Sequence, residues 1–505
     1  MILLFTAVVL QSCRERVILS NQTLEMSAFS DLKRNEYALN SRILRNHLRN
    51  IIHADKDSAF TDFRVRDYYL RDGKWMWIDR KGVDYRADLL LQCLDTIDRI
   101  GFSREKFCVD QMKNDLRRVR ELAFDDSTGT NDVNEVVARL EYNLTKNYLR
   151  YVCGQRYGFV DPYYVFNRLD IAEGKPAKKG DTVAYQKLFD IPIEQPSSAF
   201  FSKAYKQIRC DSIDSFLKKV QPTNPTYQRL VAYLHSDSLK ESEKSRIVCN
   251  IERCRWRITN FSETEKKYVL VNVPAFQLYA HDDNNVMSMR VGCGKTKTKT
   301  PLLTSSIKRM DLNPQWFIPR SIIDKDIVRH AGNKSYFDRH RYYVRDRRTG
   351  KRGNYVLWGV LKNPRYVVVQ EGGPGNSLGR IIFRFDNEFS VFLHDTSSPE
   401  FFTRDYRGVS HGCVRVQNPF DLAVFLLEKK DKKLIDQIAY SMTADITEKD
   451  TLNKDRMIGT YHLKHEVPIC IAYYTAYPNE NNQISIFPDV YGYDRAMYKH
   501  LRIFL

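Results

Sequence analysis

The sequence predicts an α+β protein, with a mostly helical region over 14–255 and a β-rich region over 256–505. Three observations carry this. Apolar residues recur at three- and four-residue steps in the first half, and β-branched and aromatic runs begin near Tyr268. The length of 505 residues also exceeds what one simple core accommodates. Hydrophobic residues at 43% and aromatics at 12% are globular values, which excludes collagen-like, coiled-coil and disordered chains.

The chain begins "MILLFTAVVLQSC", an apolar run too short to span a bilayer that ends at Cys13. It resembles the end of a bacterial lipoprotein signal, with Cys13 as the lipidation candidate, although no basic stretch precedes it. Residues 1–13 are therefore read as a signal, which implies export and a possible membrane anchor through an N-terminal lipid. In "NEVVARLEYNLTKNYLRYV", Val137, Leu140, Leu144, Tyr148 and Tyr151 line one helical face, and Asp132 is placed to cap it. Asn224 followed by Pro225 opens another helix. The polar stretch 236–247 suits a connection or an exposed helix.

Strands are expected at "YVLVNVPAFQLYAH" and "NNVMSMRVG", separated by a turn around Asp282 and Asp283. "NYVLWGVL", "RYVVVQ", "RIIFRF" and "FSVFLHDT" read as further strands. A helix opens at Asn418-Pro419, and "PICIAYYTAYP" and "QISIFPDV" read as a C-terminal hairpin within 460–495.

The net charge is +18, from 80 basic and 62 acidic residues. That fits either a polyanionic partner or a solubilising surface. The densest run, "KTKTKTP" at 295–301, reads as a loop. No zinc-finger spacing or RNA-binding signature accompanies it, so nucleic acid is not an expected partner. Ten cysteines contain no CxxC pair, which argues against a zinc site and against a small-domain disulfide framework. "HLKH" at 462–465 lacks a third ligand, and "EGGPGNSLGR" at 371–380 lacks the Lys-Ser/Thr of a phosphate loop.

"VSHGCVRVQNP", residues 409–419, carries the chemistry. A cysteine attacks as thiolate, so Cys413 needs a base and donors for the oxyanion it creates. His411 lies two residues away, where side chains point in parallel and rarely meet. His394 ends an apolar strand, and the fifteen residues before Ser410 can return the chain beside it, which makes it the better base. Backbone N–H groups around Gly412 and Cys413 are the expected oxyanion donors. Spacing alone leaves a structural cysteine open.

His394, fifteen residues and then "SHGC" resemble the signature of the L,D-transpeptidase catalytic domain. "NIERCRWR", "VNVPAFQLYAH", "MRVGCGK", "NPQWFIPRSI", "GGPGNSLGRIIFRF", "VFLHDT" and "AYYTAYP" resemble, in the same order, the large periplasmic murein members of that family. The resemblance implies a helical scaffold domain, a capping subdomain over about 311–363, and no metal or organic cofactor. It implies a periplasmic enzyme that joins peptidoglycan stem peptides 3→3 through a Cys413 thioester, with His394 as base. Such enzymes are carbapenem targets that act on the cell wall and cell shape. Ser410, His411, Arg415 and Asp395 are then site-shaping or substrate-binding residues. An L,D-carboxypeptidase, a protein-to-wall attachment enzyme and a non-catalytic wall-binding scaffold are the alternatives. The small peptidoglycan-binding domain common in the family has no counterpart between Asn224 and "NIERCRWR". Oligomeric state has no sequence signal.

Overall fold

The computed structural model describes residues 39–505 except 80, 81, 84, 125–130, 173–182, 211, 284, 354, 355, 449, 451 and 480. The signal-like segment and Cys13 lie outside the described residues.

The helical region surrounds one central helix. Around it stand α1 (Ser41–Ala54), α2 (Phe60–Leu70), the ribbon β1 (Ile78–Asp79) and β2 (Gly82–Val83), α3 (Tyr85–Leu94) and α4 (Val109–Glu121). The central helix is α5 (Val133–Tyr157), and Asp132 caps it by accepting from Asn134 N and Glu135 N, as its position predicts. α5 is buried on all sides rather than along one stripe. Its charged residues therefore require buried partners. Arg150 pairs with Asp62 at 2.7 Å, and Lys146 with Asp55 at 2.8 Å. Glu141 accepts from Trp77 N at 3.0 Å and Ile78 N at 3.1 Å, which fixes the start of the ribbon.

After α6 (Pro162–Phe166), the short strand β3 (Phe189–Asp190), α7 (Ser198–Ile208) and α8 (Ile213–Lys219) comes α9 (Pro225–Leu234). Asn224 accepts from Thr226 N there, with Pro225 in the first turn. The polar stretch after it becomes the start of α10 (Glu241–Arg253).

Eight strands close a ring: β12 (Ile381–Phe385), β13 (Leu393–His394), β15 (Val414–Val416), β6 (Asn285–Gly294), β5 (Gln277–Asp282), β4 (Lys267–Asn272), β16 (Thr460–Ala472) and β7 (Leu302–Leu312), which pairs back with β12. Alternation fills the interior with Val271, Leu278, Met289, Val291, Val414, Leu393 and Phe383. β3 adds to β7 in parallel, and the last helix α15 (Tyr493–Leu501) packs on α10. Phe504 then inserts beside Phe102, Phe107 and Phe159 of the helical region. One hydrophobic core thus runs across residue 255.

A second, smaller core forms the cap, from Ile318, Ile323, Ile327, Phe337, Val344, Leu361 and Val368. Its sheet orders β10 (Arg352–Gly353), β9 (Tyr342–Asp346), β11 (Tyr366–Gln370) and β8 (Trp316–Phe317), with helical turns at 320–330 and helices α11 (Lys334–Arg339) and α12 (Trp358–Lys362). The cap therefore begins after β7 and includes β11, rather than ending at 363.

Several strand assignments change. Within "NYVLWGVL", Trp358–Lys362 is helical, because a short apolar run carries no period of its own. "YVLVNVPAFQLYAH" is two strands, split by a turn in which Phe276 takes φ 50° and donates to Val273 O. The C-terminal hairpin is only β17 (Ala476–Pro478) with β18 (Ile484–Ile486). "PICIA" belongs to β16, pairing with β4 and β7. β14 (Gly408–Ser410) pairs with β6, and α13 (Pro419–Leu426) follows β15 as expected. No described helix is long and apolar enough to cross a membrane.

Candidate active site

The fifteen residues after His394 return the chain so that β13 and β15 lie side by side in parallel, with His394 opposite Arg415 and Leu393 opposite Val414. Leu393 and Val414 fill the barrel, so His394 and Arg415 project from the outer wall. Cys413, two residues before Arg415, stands on that same side, and Val414 N donates to Phe392 O to hold the strands at this level.

Cys413 keeps part of its surface open. Its thiol makes one weak contact, donating to Ser390 O at 3.9 Å. Burial pushes it up to about 11, partly offset by the backbone of Phe392 and the charges of Arg415 and Arg384. His394 is 3% exposed. Burial, then the positive charge of Arg415, pushes the imidazole down to about 3, against smaller opposing effects from the Asp395 and Leu378 backbone. Its Nδ1 has no hydrogen-bond partner among the described residues. The two groups therefore rest as neutral thiol and neutral imidazole, with no hydrogen bond between them.

Gly412 takes φ +125°, a region that L side chains rarely adopt. Its N–H, one of the oxyanion donors expected from the sequence, donates to Ser410 Oγ at 3.1 Å. Ser410 in turn donates to Cys413 O at 2.6 Å. This closes the loop and leaves the Cys413 N–H without a partner among the described residues.

His411 is exposed and stays off the β13–β15 pair. Burial, then Lys295, lowers its proton affinity, with Asp326 of the cap opposing and Arg415 and Lys325 adding to the fall, so it lies at the cap boundary. Asp395 accepts from Arg380 N at 2.7 Å and lies where a Gly379 Cβ would fall, 2.4 Å away. It pins the 378–380 turn beside His394, and Gly379 is required there at φ +68°. Arg415 lies over Phe401 at 5.7 Å and has no carboxylate partner among the described residues.

The strap that holds this loop has no local signature in the sequence. Thr298 Oγ1 donates to Ser410 O and Thr300 Oγ1 to Gly412 O, both at 2.9 Å. Gly294 N donates to Thr300 Oγ1 at 2.9 Å, and Tyr491 OH donates to Gly294 O at 2.7 Å. Lys299 pairs with Asp170 of the helical region at 2.6 Å. Thr298 and Thr300 of "KTKTKT" therefore hold the 410–413 loop. Thr300→Ala strands the Gly412 carbonyl and the Gly294 N–H; we expect acylation of Cys413 to slow about 10- to 100-fold. KM should stay unchanged and Thr300→Ser should restore the rate, as stopped-flow acylation would report.

Cys293 is fully buried on β6 and pushed up to about 12, which removes it as a nucleophile. His465 lies 3.6 Å from Glu428, and no group of three metal-ligating side chains occurs among the described residues.

Residues 266–435 match the family model of the L,D-transpeptidase catalytic domain, and residues 64–234 that of a scaffold domain. A protein described as a putative L,D-transpeptidase from Haemophilus influenzae is 26% identical over 314 residues, which is 60% of this chain and 60% of that one. The chain thus spans about 60% of that relative's length. Among solved structures, an L,D-transpeptidase from Mycobacterium smegmatis is 14% identical over 41% of this chain and 58% of its own, with a TM-score of 0.18. An Enterococcus faecium L,D-transpeptidase mutant is 12% identical over 38% and 62%, also at 0.18.

Proposed function

We propose that this chain, whose residues 266–435 match the L,D-transpeptidase catalytic domain, cross-links peptidoglycan stem peptides through a Cys413 thioester. The observation that carries this is the pairing of β13 with β15, which sets a partly open thiol and an uncharged imidazole on one outer wall.

The donor is a tetrapeptide stem. As the Cys413 sulfur adds to the carbonyl between the L-centre of the third residue and the terminal D-Ala, His394 takes the thiol proton. The Cys413 N–H faces the oxyanion that forms. Collapse breaks the C–N bond, His394 returns the proton to the D-Ala amine, and a thioester remains. The side-chain amine of a second stem then attacks the thioester, which gives a 3→3 cross-link and restores the thiol. Water as acceptor gives carboxypeptidase activity instead. No metal or organic cofactor is needed for any step.

Arg415 suits the carboxylate of the terminal D-Ala, since no side chain of the described residues neutralises it. A bound carboxylate would also cancel the charge that, after burial, holds His394 down, so substrate makes its own base stronger. Arg415→Met should raise KM for stems with a free terminal carboxylate. It should also move the acid limb of kcat/KM upward towards the ordinary histidine value near 6.5. An acid limb that stays in place in that variant would contradict the assignment.

Purified tetrapeptide muropeptides, incubated with the full chain and resolved by mass spectrometry, test the reaction. A 3→3 dimer supports transfer, a tripeptide alone supports hydrolysis, and unchanged substrate defeats both. We also place the enzyme in the periplasm with Cys13 as a lipid anchor. Labelled palmitate should enter the wild-type chain and not Cys13→Ser.

A further inference from the structure

The outer wall of the barrel carries a second opening, on β4 and β5 rather than β13 and β15. It is a cleft of about 780 Å³ between the start of α9, the residues after α10, the two strands and the β17–β18 hairpin. That volume lies in the range of small-ligand sites. Its walls are aromatic. Tyr268 stacks on His281 at 4.3 Å and 13°, and Tyr474 on Tyr477 at 5.2 Å and 21°.

Glu263 lines this cleft and forms no hydrogen bond or ion pair among the described residues. Burial pushes its carboxyl up to about 7. Neighbouring arginines do not serve it: Arg253 pairs with Asp494 at 2.5 Å and Arg255 with Glu252 at 2.9 Å. The hydroxyls of Tyr268, Tyr474 and Tyr477 also have no partner among the described residues.

Flat ring faces beside uncommitted hydroxyls and one unpaired carboxyl call for a neutral ligand with ring faces and hydrogen-bonding substituents. Arg229 and Arg257, the cleft arginines outside those two ion pairs, disfavour a cation, and Glu263 disfavours an anion. A pyranose bearing an acetamido group satisfies these conditions. Its C–H faces lie on the tyrosine rings, and its amide N–H donates to Glu263.

We propose that this cleft binds a chain of N-acetylated amino sugars, the glycan strand that carries the stem peptides. The choice of sugar rests on the wall-polymer reading above; the cleft itself does not. A glycan held there would keep the polymer on the catalytic domain without a separate wall-binding domain.

The test titrates the full chain with the β-1,4-linked tetramer of N-acetylglucosamine, by calorimetry, in wild type, Tyr477→Ala and Glu263→Gln. Carbapenem acylation of Cys413 reports that each variant is folded. We expect sub-millimolar binding to wild type and at least tenfold weaker binding in both variants, with acylation unchanged. Should Tyr477→Ala fail to fold, the near-isosteric Glu263→Gln decides. No binding to wild type, or binding that neither variant weakens, overturns the proposal. Binding of a diamine such as cadaverine in place of the tetramer overturns it in favour of a cation site. A wild type that binds sugar but resists acylation defeats the Cys413 mechanism and leaves the glycan site standing.

Discussion

Cys413→Ser is expected to abolish stoichiometric acylation by a carbapenem and to lower cross-link formation by at least about 10³-fold, the scale on which losing a covalent nucleophile acts. Burial suppresses five of the other described cysteines. Cys153, Cys254 and Cys293 are each pushed up to about 12 by burial, and burial likewise raises Cys470 and Cys249. None of these is on the outer wall beside His394. The fold should tolerate the change, because the sulfur makes only the 3.9 Å contact to Ser390 O. Stability should shift by no more than about 0.5–1 kcal/mol. Intact-mass spectrometry after carbapenem treatment, alongside thermal unfolding, separates the two readouts. An adduct that persists on the folded variant would move the nucleophile elsewhere.

The features legible in the sequence were those written locally. Asp132 and Asn224 announce helix starts because a cap needs only the residues two or three places on. "SHGC" is contiguous, and the fifteen-residue return from His394 is long enough to bring two strands together, so the pairing of those strands followed from spacing, while the catalytic reading came from the family resemblance. Features that depend on distant partners were not legible. Thr298 and Thr300 hold carbonyls 112 residues away, and an alternating Lys-Thr run gives no sign of it. The role of the Gly412 N–H turned on the orientation of one hydroxyl, Ser410 Oγ. Glu141, Lys146 and Arg150 are charged, yet they are buried because carboxylates and backbone donors arrive from segments 63 to 91 residues away. Periodicity reports which residues share a face, not whether another helix covers it.

His394→Gln tests the base and, separately, the physical state assigned to it. Loss of a general base should slow acylation about 10²- to 10⁴-fold, with little change in binding of the stem. The second readout is acid stability. In the folded chain the imidazole protonates only near 3, whereas in the unfolded chain it protonates near 6.5. Above pH 6.5 both states hold it neutral, and His394 contributes no pH dependence. As pH falls from about 6.5 to about 3, the unfolded chain binds a proton that the folded chain refuses, so stability is lost progressively. The slope is at most about 1.4 kcal/mol per pH unit, and it ends once both states are protonated. Glutamine has no such proton, so denaturant unfolding at pH 7 and pH 4.5 should show a smaller acid loss in His394→Gln than in wild type. Equal losses would mean that the imidazole is solvated or already charged at rest. The neutral base from which the acylation step begins would then be absent, even if the variant were inactive.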